Sequence, residues 1–209
     1  MLAVLMMAGV LQAGMASQPA LADSGQAPAT QSQPAVAAKP LVAVAGFENK
    51  STYSADRIWE TSAEFLTAAL MNVPEFRVVE WARMKVLFDR DELSVSDLVA
   101  KPDKREKAQK ILLCEYFVSG AVTRYNVAEA GRTSSMSKNR TFNTTIRVDV
   151  TMVDARSGEY VGMGTGEASE TQTFKGGQLG TWNSAAADRA LDRAIAQAVS
   201  KLVVQFKNR

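Results

Sequence analysis

The alternation of hydrophobic and polar residues predicts a folded domain that begins at Pro40. The run from Leu41 to Phe47 is short, β-rich and apolar on both faces, which is typical of a strand covered on both sides. From Asp56 the apolar positions follow helical spacing until Val73, and Pro74 ends that helix. The same periodicities predict three further elements in the first half: a strand from Glu75 to Glu80, a helix from Trp81 to Glu92, and a short helix that ends near Leu113 after the charged link "SVSDLVAKPDKRE".

The second half of the domain is dominated by strand-like alternation. The turn "DARSGE", with Gly158 late in the turn, indicates a hairpin between two of these strands. Towards the C-terminus the apolar positions return to helical spacing and form a single stripe. The predicted elements are strands from Glu115 to Val127, from Thr141 to Asp154 and from Glu159 to Phe174, followed by a helix from Ser184 to Phe206.

The order of the predicted elements is β-α-β-α-α-β-β-β-α, and it indicates the fold class. Helical and strand-like segments alternate in the first half, and three strands follow one another in the second. Such an order is typical of an α/β domain with a mixed sheet flanked by helices. We therefore predict one domain over residues 40–209.

The residues before this domain have the pattern of an exported protein. The apolar run from Leu2 to Leu11 has the length of a signal-peptide core and is too short to span a bilayer as a helix. Small residues at Ala20 and Ala22 predict cleavage before Asp23, with a second candidate site after Ala16. Residues 1–22 are thus predicted to be a signal peptide. Residues 23–39 are rich in Ala, Gln, Ser and Pro, which predicts a disordered leader.

The composition excludes several classes of function. The chain has 209 residues, no histidine, one cysteine and a formal net charge of +2. Without histidine there is no imidazole for catalysis or metal ligation, and a single cysteine cannot form an internal disulfide. The small net charge lacks the basic stripe that nucleic-acid binding requires. We therefore predict no nucleic-acid partner.

Carboxylate pairs are the remaining candidates for chemistry. Each pair lies beside compensating Arg or Lys residues or on a predicted exposed face, which favours solvated ion pairs over an active site. Cys114 follows Leu113 and precedes a β-rich run, so a small core residue is favoured over a nucleophile. We predict no catalytic, metal-binding or cofactor-binding residue. The pairs are Asp89/Asp91/Glu92, Asp188/Asp192 and Glu167/Glu170.

The Gly-rich stretch "GMGTGEASETQTFKGGQLGT", from Gly162 to Thr181, is a candidate phosphate-binding loop. A P-loop needs Lys and then Ser or Thr directly after its last glycine, at the start of a helix. Here Gly166 is followed by Glu167, and the segment continues as a strand. Tight packing or a β-bulge is therefore the favoured explanation of these glycines.

Four segments together resemble the curli assembly/transport family of CsgG-like proteins. They are "KPLVAVAGFENKS", "FRVVEWARMKVLFDRDELSVSDLV", "AQKILLCEYFVSGAVTRYNV" and "VDVTMVDARSGEYV", and they extend over nearly the whole domain. The resemblance implies a periplasmic α/β domain without catalysis. It also implies that the loop after the first strand, from Asn49 to Ser54 with Tyr53 as its aromatic residue, corresponds to the constriction loop of the channel-forming members.

The channel-forming members insert two β-hairpins per subunit into the outer membrane, which raises the question of whether this chain does so. A membrane strand needs about 9–11 residues with apolar side chains facing lipid. The first candidate hairpin, "VAEAGRTSSMSKNRTFNTT", has no alternating apolar set, and the second, from Glu159 to Phe174, is polar on both faces towards its end. We therefore predict no direct membrane span.

The function implied is that of a non-enzymatic, soluble periplasmic protein, an accessory of cell-envelope assembly or curli-type export. It would bind another cell-envelope protein or a second copy of itself, with Asn49, Tyr53 and Ser54 as candidate contact residues. Besides an enzyme that acts through carboxylates, two alternatives stay open on the sequence alone. One is a regulator of peptidoglycan synthesis that resembles the penicillin-binding-protein activators, and the other is an outer-membrane channel subunit with unusual hairpins.

Overall fold

The computed structural model describes residues 39–53, 58–91, 93–134, 137–175 and 182–209. The predicted signal peptide lies outside the described residues, and so does the predicted leader up to residue 38. Ten elements are present in the described part of the chain: β1 (Leu41–Asn49), α1 (Ile58–Met71), β2 (Arg77–Val79), α2 (Trp81–Asp91), α3 (Val95–Ala100), α4 (Pro102–Leu112), β3 (Tyr116–Ser134), β4 (Ser137–Asp154), β5 (Tyr160–Phe174) and α5 (Ser184–Lys207).

The strands form one mixed sheet in the order β2-β1-β3-β4-β5. β1 pairs in parallel with both β2 and β3, while β3, β4 and β5 are antiparallel neighbours. The predicted α/β fold with a mixed sheet and flanking helices is confirmed. The structure adds one short helix, α3, inside the segment predicted to be a link. It begins at a capping box in which Ser94 and Asp97 satisfy each other's backbone N–H groups.

Two hydrophobic clusters lie on opposite faces of the sheet, and β1 contributes to both. Val42 and Val44 face α1 and α5, whereas Ala43 and Ala45 face the layer formed by α2, α3 and α4. All four side chains are buried. This confirms the prediction from the continuous apolar run, because a strand covered on both sides has no polar face.

β3 and β4 extend beyond their predicted ends. They pair continuously as far as Ser134 opposite Ser137, whereas the alternation predicted an end at Val127 and a start at Thr141. We call this outer part, residues 124–134 of β3 and 137–147 of β4, the polar ribbon. Between Val127 and Thr141 the two strands have few apolar side chains, so the hydrophobic pattern carries no signal of their full length.

The glycines at the start of the Gly-rich stretch pack against the backbone of α5. A Cβ atom at Gly164 would clash with the carbonyl oxygen of Ala198, and one at Gly166 would clash with that of Ala194. The two-residue spacing on β5 therefore matches the four-residue spacing on α5. Tight packing is the correct explanation of these glycines, as the sequence predicts.

One row of long polar side chains on α5 covers the outer edge of β5. Every fourth residue, from Arg193 of the helix to Arg209 just beyond its end, hydrogen-bonds to an outward backbone group of the strand, at donor–acceptor distances between 2.7 and 3.3 Å. We call this row the α5 ladder. Arg193, Lys201 and Arg209 donate to the carbonyls of Ser169, Thr165 and Tyr160, respectively. The side-chain oxygens of Gln197 and Gln205 accept from the N–H groups of Glu167 and Met163.

A buried arginine connects the α3–α4 corner to the β4–β5 turn. Arg105 is 5% exposed, and its guanidinium donates to the carbonyls of Leu98, Val99 and Ser157. The guanidinium also lies against Gly158, whose φ of 76° requires glycine at this point of the turn. The carbonyl oxygens at the end of α3 carry partial negative charge and stabilise the cation.

Candidate functional site

The loop that follows β1 is organised by the side chain of Asn49. Its Nδ2 donates to the Tyr53 carbonyl at 2.5 Å, and its Oδ1 accepts from both the N–H and the hydroxyl of Ser51, at 3.0 and 2.7 Å. The Lys50 N–H donates to the Val122 carbonyl at 2.9 Å, which fixes the start of the loop to β3. An Asn side chain that closes its own turn in this way gives the loop a defined shape.

Tyr53 packs into an aromatic group built from three separate parts of the chain. Its ring stacks on Tyr125 of β3, with centroids 4.1 Å apart and planes 8° apart, and meets the edge of Trp182 at 6.4 Å. The Trp182 Nε1 donates to the Thr144 hydroxyl of β4 at 3.0 Å. The far end of the loop is therefore held against the sheet and against the segment that precedes α5.

Tyr125 is an unreactive member of this group. It is 7% exposed, and burial raises the pKa of its phenol, with the nearby Tyr53 and Asp188 adding to the shift. The phenol therefore stays protonated at any physiological pH. Its function in the site is to support Tyr53.

A shallow polar depression of about 460 Å³ lies between the loop and β3. Loop residues 50–52 form one side and β3 residues 123–126 the other. The two cations of its lining, Lys50 and Arg124, each have a carboxylate partner outside the depression: Glu48 at 3.1 Å and Glu167 at 3.5 Å. The lining itself combines cations, hydroxyls and an amide, which suits a polar or acidic ligand group.

The structure brings two of the three candidate residues together. Asn49 and Tyr53 are joined by a hydrogen bond, and Ser54 lies outside the described residues. The sequence analysis did not identify Tyr125 and Trp182 as partners of Tyr53. One local signal for Trp182 exists, because it directly precedes Asn183, which caps α5 by accepting from the Ala185 N–H at 2.8 Å.

Three carboxylates of the candidate pairs, Asp91, Glu167 and Glu170, are engaged in ion pairs with Arg or Lys. Hydrogen bonds from Lys107 and Arg90 lower the pKa of Asp91, and hydrogen bonds from Arg189 and Arg193 lower that of Glu170. Both carboxylates are therefore ionised at neutral pH. Among the described residues, no group of three acidic or cysteine side chains is arranged to hold a metal ion.

Cys114 is the small core residue that the sequence predicts. It is fully buried, and burial raises the pKa of its thiol to about 12. Because the thiolate is the reactive form, this cysteine is inert at neutral pH. It packs in the cluster on the face of the sheet that α2, α3 and α4 cover.

None of the helices in the described ranges combines the length and the apolar character needed to cross a lipid bilayer.

Comparison with known families gives a match over nearly the whole chain. The family model described as "Curli production assembly/transport component CsgG" matches residues 25–209. No curated protein sequence matches the chain at a significant level.

Several solved structures have a related chain path at low sequence identity. Lipoprotein GNA1162 from Neisseria meningitidis is 18% identical with a TM-score of 0.48, and the alignment covers 81% of this chain and 98% of that one. The LpoB C-terminal domain from Salmonella enterica is 16% identical with a TM-score of 0.42, covering 64% and 84%. The PelC dodecamer from Paraburkholderia phytofirmans is 18% identical with a TM-score of 0.39, covering 81% and 92%.

Proposed function

The chain belongs to the CsgG family of curli production assembly/transport components, and we propose that it is a non-enzymatic, exported protein that serves cell-envelope assembly or secretion by binding another envelope protein. The family match carries this proposal, because it includes all the described elements. The finer assignment to curli export is part of the proposal. Soluble residence in the periplasm after signal-peptide cleavage is part of it as well.

The binding site that we assign is the loop from Asn49 to Ser54. Its described part is closed by its own hydrogen bonds and held by the stacking of Tyr53 on Tyr125. A loop that already has a defined shape loses little conformational entropy when it docks, which favours binding. The polar depression beside it offers charged and hydroxyl groups to a partner.

Binding without catalysis is also what the charges of the molecule favour. Asp91 and Glu170, whose pKa values are lowered by Arg and Lys partners, are ionised and are therefore poor proton donors. The reactive form of Cys114 is suppressed by burial. The partner is another cell-envelope protein or a second copy of this chain.

Site-specific photo-crosslinking in cells tests this proposal. A photoreactive amino acid at Thr52, an exposed residue of the loop, should crosslink one abundant envelope protein that mass spectrometry identifies. The matched control carries the same amino acid at Thr171, an exposed threonine of the edge strand β5. The Thr171 position should give no such product.

Each product of this experiment has a distinct meaning. A secretion or fibre component supports the curli-type assignment, a peptidoglycan synthase supports the activator-like alternative, and a second copy identifies self-assembly. Equal products from both positions, or products with cytoplasmic proteins only, would contradict the proposed function.

A further inference from the structure

Among the described residues, the outer sides of β5 and β3 are covered to different extents. The outer edge of β5 is closed by the α5 ladder from Tyr160 to Ser169. The edge of β3 is closed by β1 only as far as Val122, because the chain leaves the sheet at Lys50. Beyond that point no described element pairs with the outer side of β3.

The register identifies the backbone groups that this open edge exposes. Val122 lies opposite Val148 and presents its carbonyl to the outer side, where the Lys50 N–H donates to it. A bulge at Thr123 shifts the register by one residue, after which every second residue of β3 again presents its N–H and carbonyl outwards. These residues are Tyr125, Val127, Glu129 and Gly131, opposite Ile146, Thr144, Phe142 and Arg140.

These outward groups have no partner among the described residues. No described side chain or backbone group hydrogen-bonds to them, in contrast to the outward groups of β5 between Met163 and Ser169. An unpaired strand edge of this kind is a template for an additional strand, and proteins ordinarily cover or interrupt it. The unpaired stretch of β3 is therefore a candidate site for an added strand.

The polar depression lies at the start of this open edge. Its two sides are the loop where β1 leaves the sheet and the β3 residues around the bulge, so an added strand in the position vacated by β1 would begin there. Lys50 and Arg124 are part of its lining, and the lining holds no carboxylate. Their existing ion pairs are single and solvent-exposed, so a ligand carboxylate can compete for the cations at little cost.

We propose that the open edge of β3, from Tyr125 to Gly131, binds an extended segment of a partner protein as an added β-strand, with an acidic side chain of that segment in the depression between Lys50 and Arg124. The backbone groups of the edge supply affinity, and the cations select the acidic residue and set the register. This inference rests on the proposed function, since it names the kind of segment by which the partner is bound.

The edge and the depression each determine one chemical property of the segment that binds. The edge needs a segment that is free to adopt a strand conformation, and the depression needs a negative charge at one end of it. On the face of the sheet that is turned away from α5, β4 and β5 are joined by hydroxyl pairs such as Thr145 with Ser169 at 2.8 Å. A segment with Thr or Ser at alternate positions would continue this pattern beside Asn126.

Selection from a phage-displayed library of random 12-residue peptides on the full chain tests the proposal. Enriched peptides should share alternating β-forming residues and an acidic residue near one end. When a synthetic copy of an enriched peptide binds, amide hydrogen exchange measured by NMR should slow at Val127, Glu129 and Gly131. The amides of Asn126 and Ala128, which already face β4, should change little.

Two pairs of variants test the contacts separately. Glu129→Pro removes an outward N–H and should lower peptide affinity at least about tenfold, while Thr171→Pro makes the same change on the β5 edge and should not. Lys50→Glu should weaken an acidic peptide by roughly tenfold, whereas Lys175→Glu, an exposed lysine after β5, should leave its affinity unchanged. If Glu129→Pro does not fold, the exchange pattern of the wild-type protein decides alone.

Several results would overturn the inference. These are a selection that enriches no peptide, slowed exchange at sites other than the β3 edge, or protection of that edge that grows with protein concentration and so identifies a second copy as its occupant. The two proposals also fail separately. A crosslinked envelope partner that leaves the β3 amides unprotected removes only this inference, and a peptide that protects them in a chain with no envelope partner removes only the proposed function.

Discussion

At Gly164 the strand β5 approaches α5 so closely that a methyl group has no room. We expect Gly164→Ala to lower the free energy of unfolding by about 3 kcal/mol, because its Cβ meets the Ala198 carbonyl, which the helix backbone cannot withdraw. For a domain of this size that corresponds to a fall in Tm of roughly 6–12 °C. Thermal unfolding followed by circular dichroism measures it.

Gly131 provides the matched control for this substitution. It lies in the polar ribbon, and the nearest atom to an added Cβ is the Asn139 carbonyl oxygen at 3.9 Å. Gly131→Ala should therefore leave the Tm almost unchanged. If both variants unfold at the same temperature, close packing is not the reason for glycine at position 164.

At Arg105 a single side chain satisfies three carbonyl groups from two parts of the chain. Arg105→Ala should lower the free energy of unfolding by about 3 kcal/mol, since buried carbonyls lose their donor and the long side chain leaves a void. Arg83→Ala, at an exposed position of α2, should change it by less than about 0.5 kcal/mol. Chemical denaturation of the two variants compares them, and equal costs would exclude a structural role for Arg105.

At the scale of the elements, the α5 ladder makes β5 a protected edge. Removing one rung with Gln205→Ala should speed amide exchange at Met163 roughly fivefold, the factor that corresponds to a net hydrogen bond of about 1 kcal/mol. The Glu167 amide, which bonds to Gln197, is an internal control and should exchange as before. Ser200→Ala, at an exposed position of the same helix, should affect neither amide.

The elements also mark how far the sequence alone predicts the structure. β1 and α5 follow from hydrophobic periodicity, because burial on two faces or on one stripe leaves a direct trace in the residue types. The outer end of the polar ribbon, between Val127 and Thr141, leaves no such trace, because its strands are held by backbone pairing and have few apolar side chains. α3 is six residues long and depends on a cap, so its apolar pattern is too brief to register.

The candidate site was predictable only in part, for a related reason. The position of the loop and of Tyr53 follows from the end of β1. The partnership of Tyr53 with Tyr125 and Trp182 joins three distant segments, and it becomes visible only once β3 and α5 are placed. The open edge of β3 likewise requires the register of the sheet.

For the whole molecule, carboxyl groups and a thiol determine how stability depends on pH, since the sequence has no histidine. The carboxyl groups of Asp97 and Glu170 have pKa values lowered by lysine and arginine partners, so they stabilise the fold above their unfolded values of 3.8 and 4.5. That contribution is lost as the pH falls through the lowered values. The pKa of Cys114 is raised instead, so its contribution is present below 9.0 and is lost at higher pH.

We therefore expect a stability plateau between about pH 5 and 8.5, with a decline on either side. Urea denaturation at intervals from pH 3 to pH 10.5 measures the curve. Asp97→Asn should flatten the acid decline and Cys114→Ala the alkaline one. A step in stability near pH 6.5 would contradict this account, because the sequence has no histidine, the side chain with an ordinary pKa near that value.

The α5 ladder also limits how this part of the molecule can change in length. From Arg193 to Gln205, four helical residues advance about 6.0 Å and two strand residues about 6.8 Å, so the two repeats drift by roughly 0.8 Å per rung. Long side chains such as those of Arg193, Lys201 and Gln205 can absorb that drift, and short ones cannot. The four-residue repeat of the helix and the two-residue repeat of the strand are thus nearly equal in length. We expect an insertion to be tolerated only when it adds four residues to α5 and two to β5.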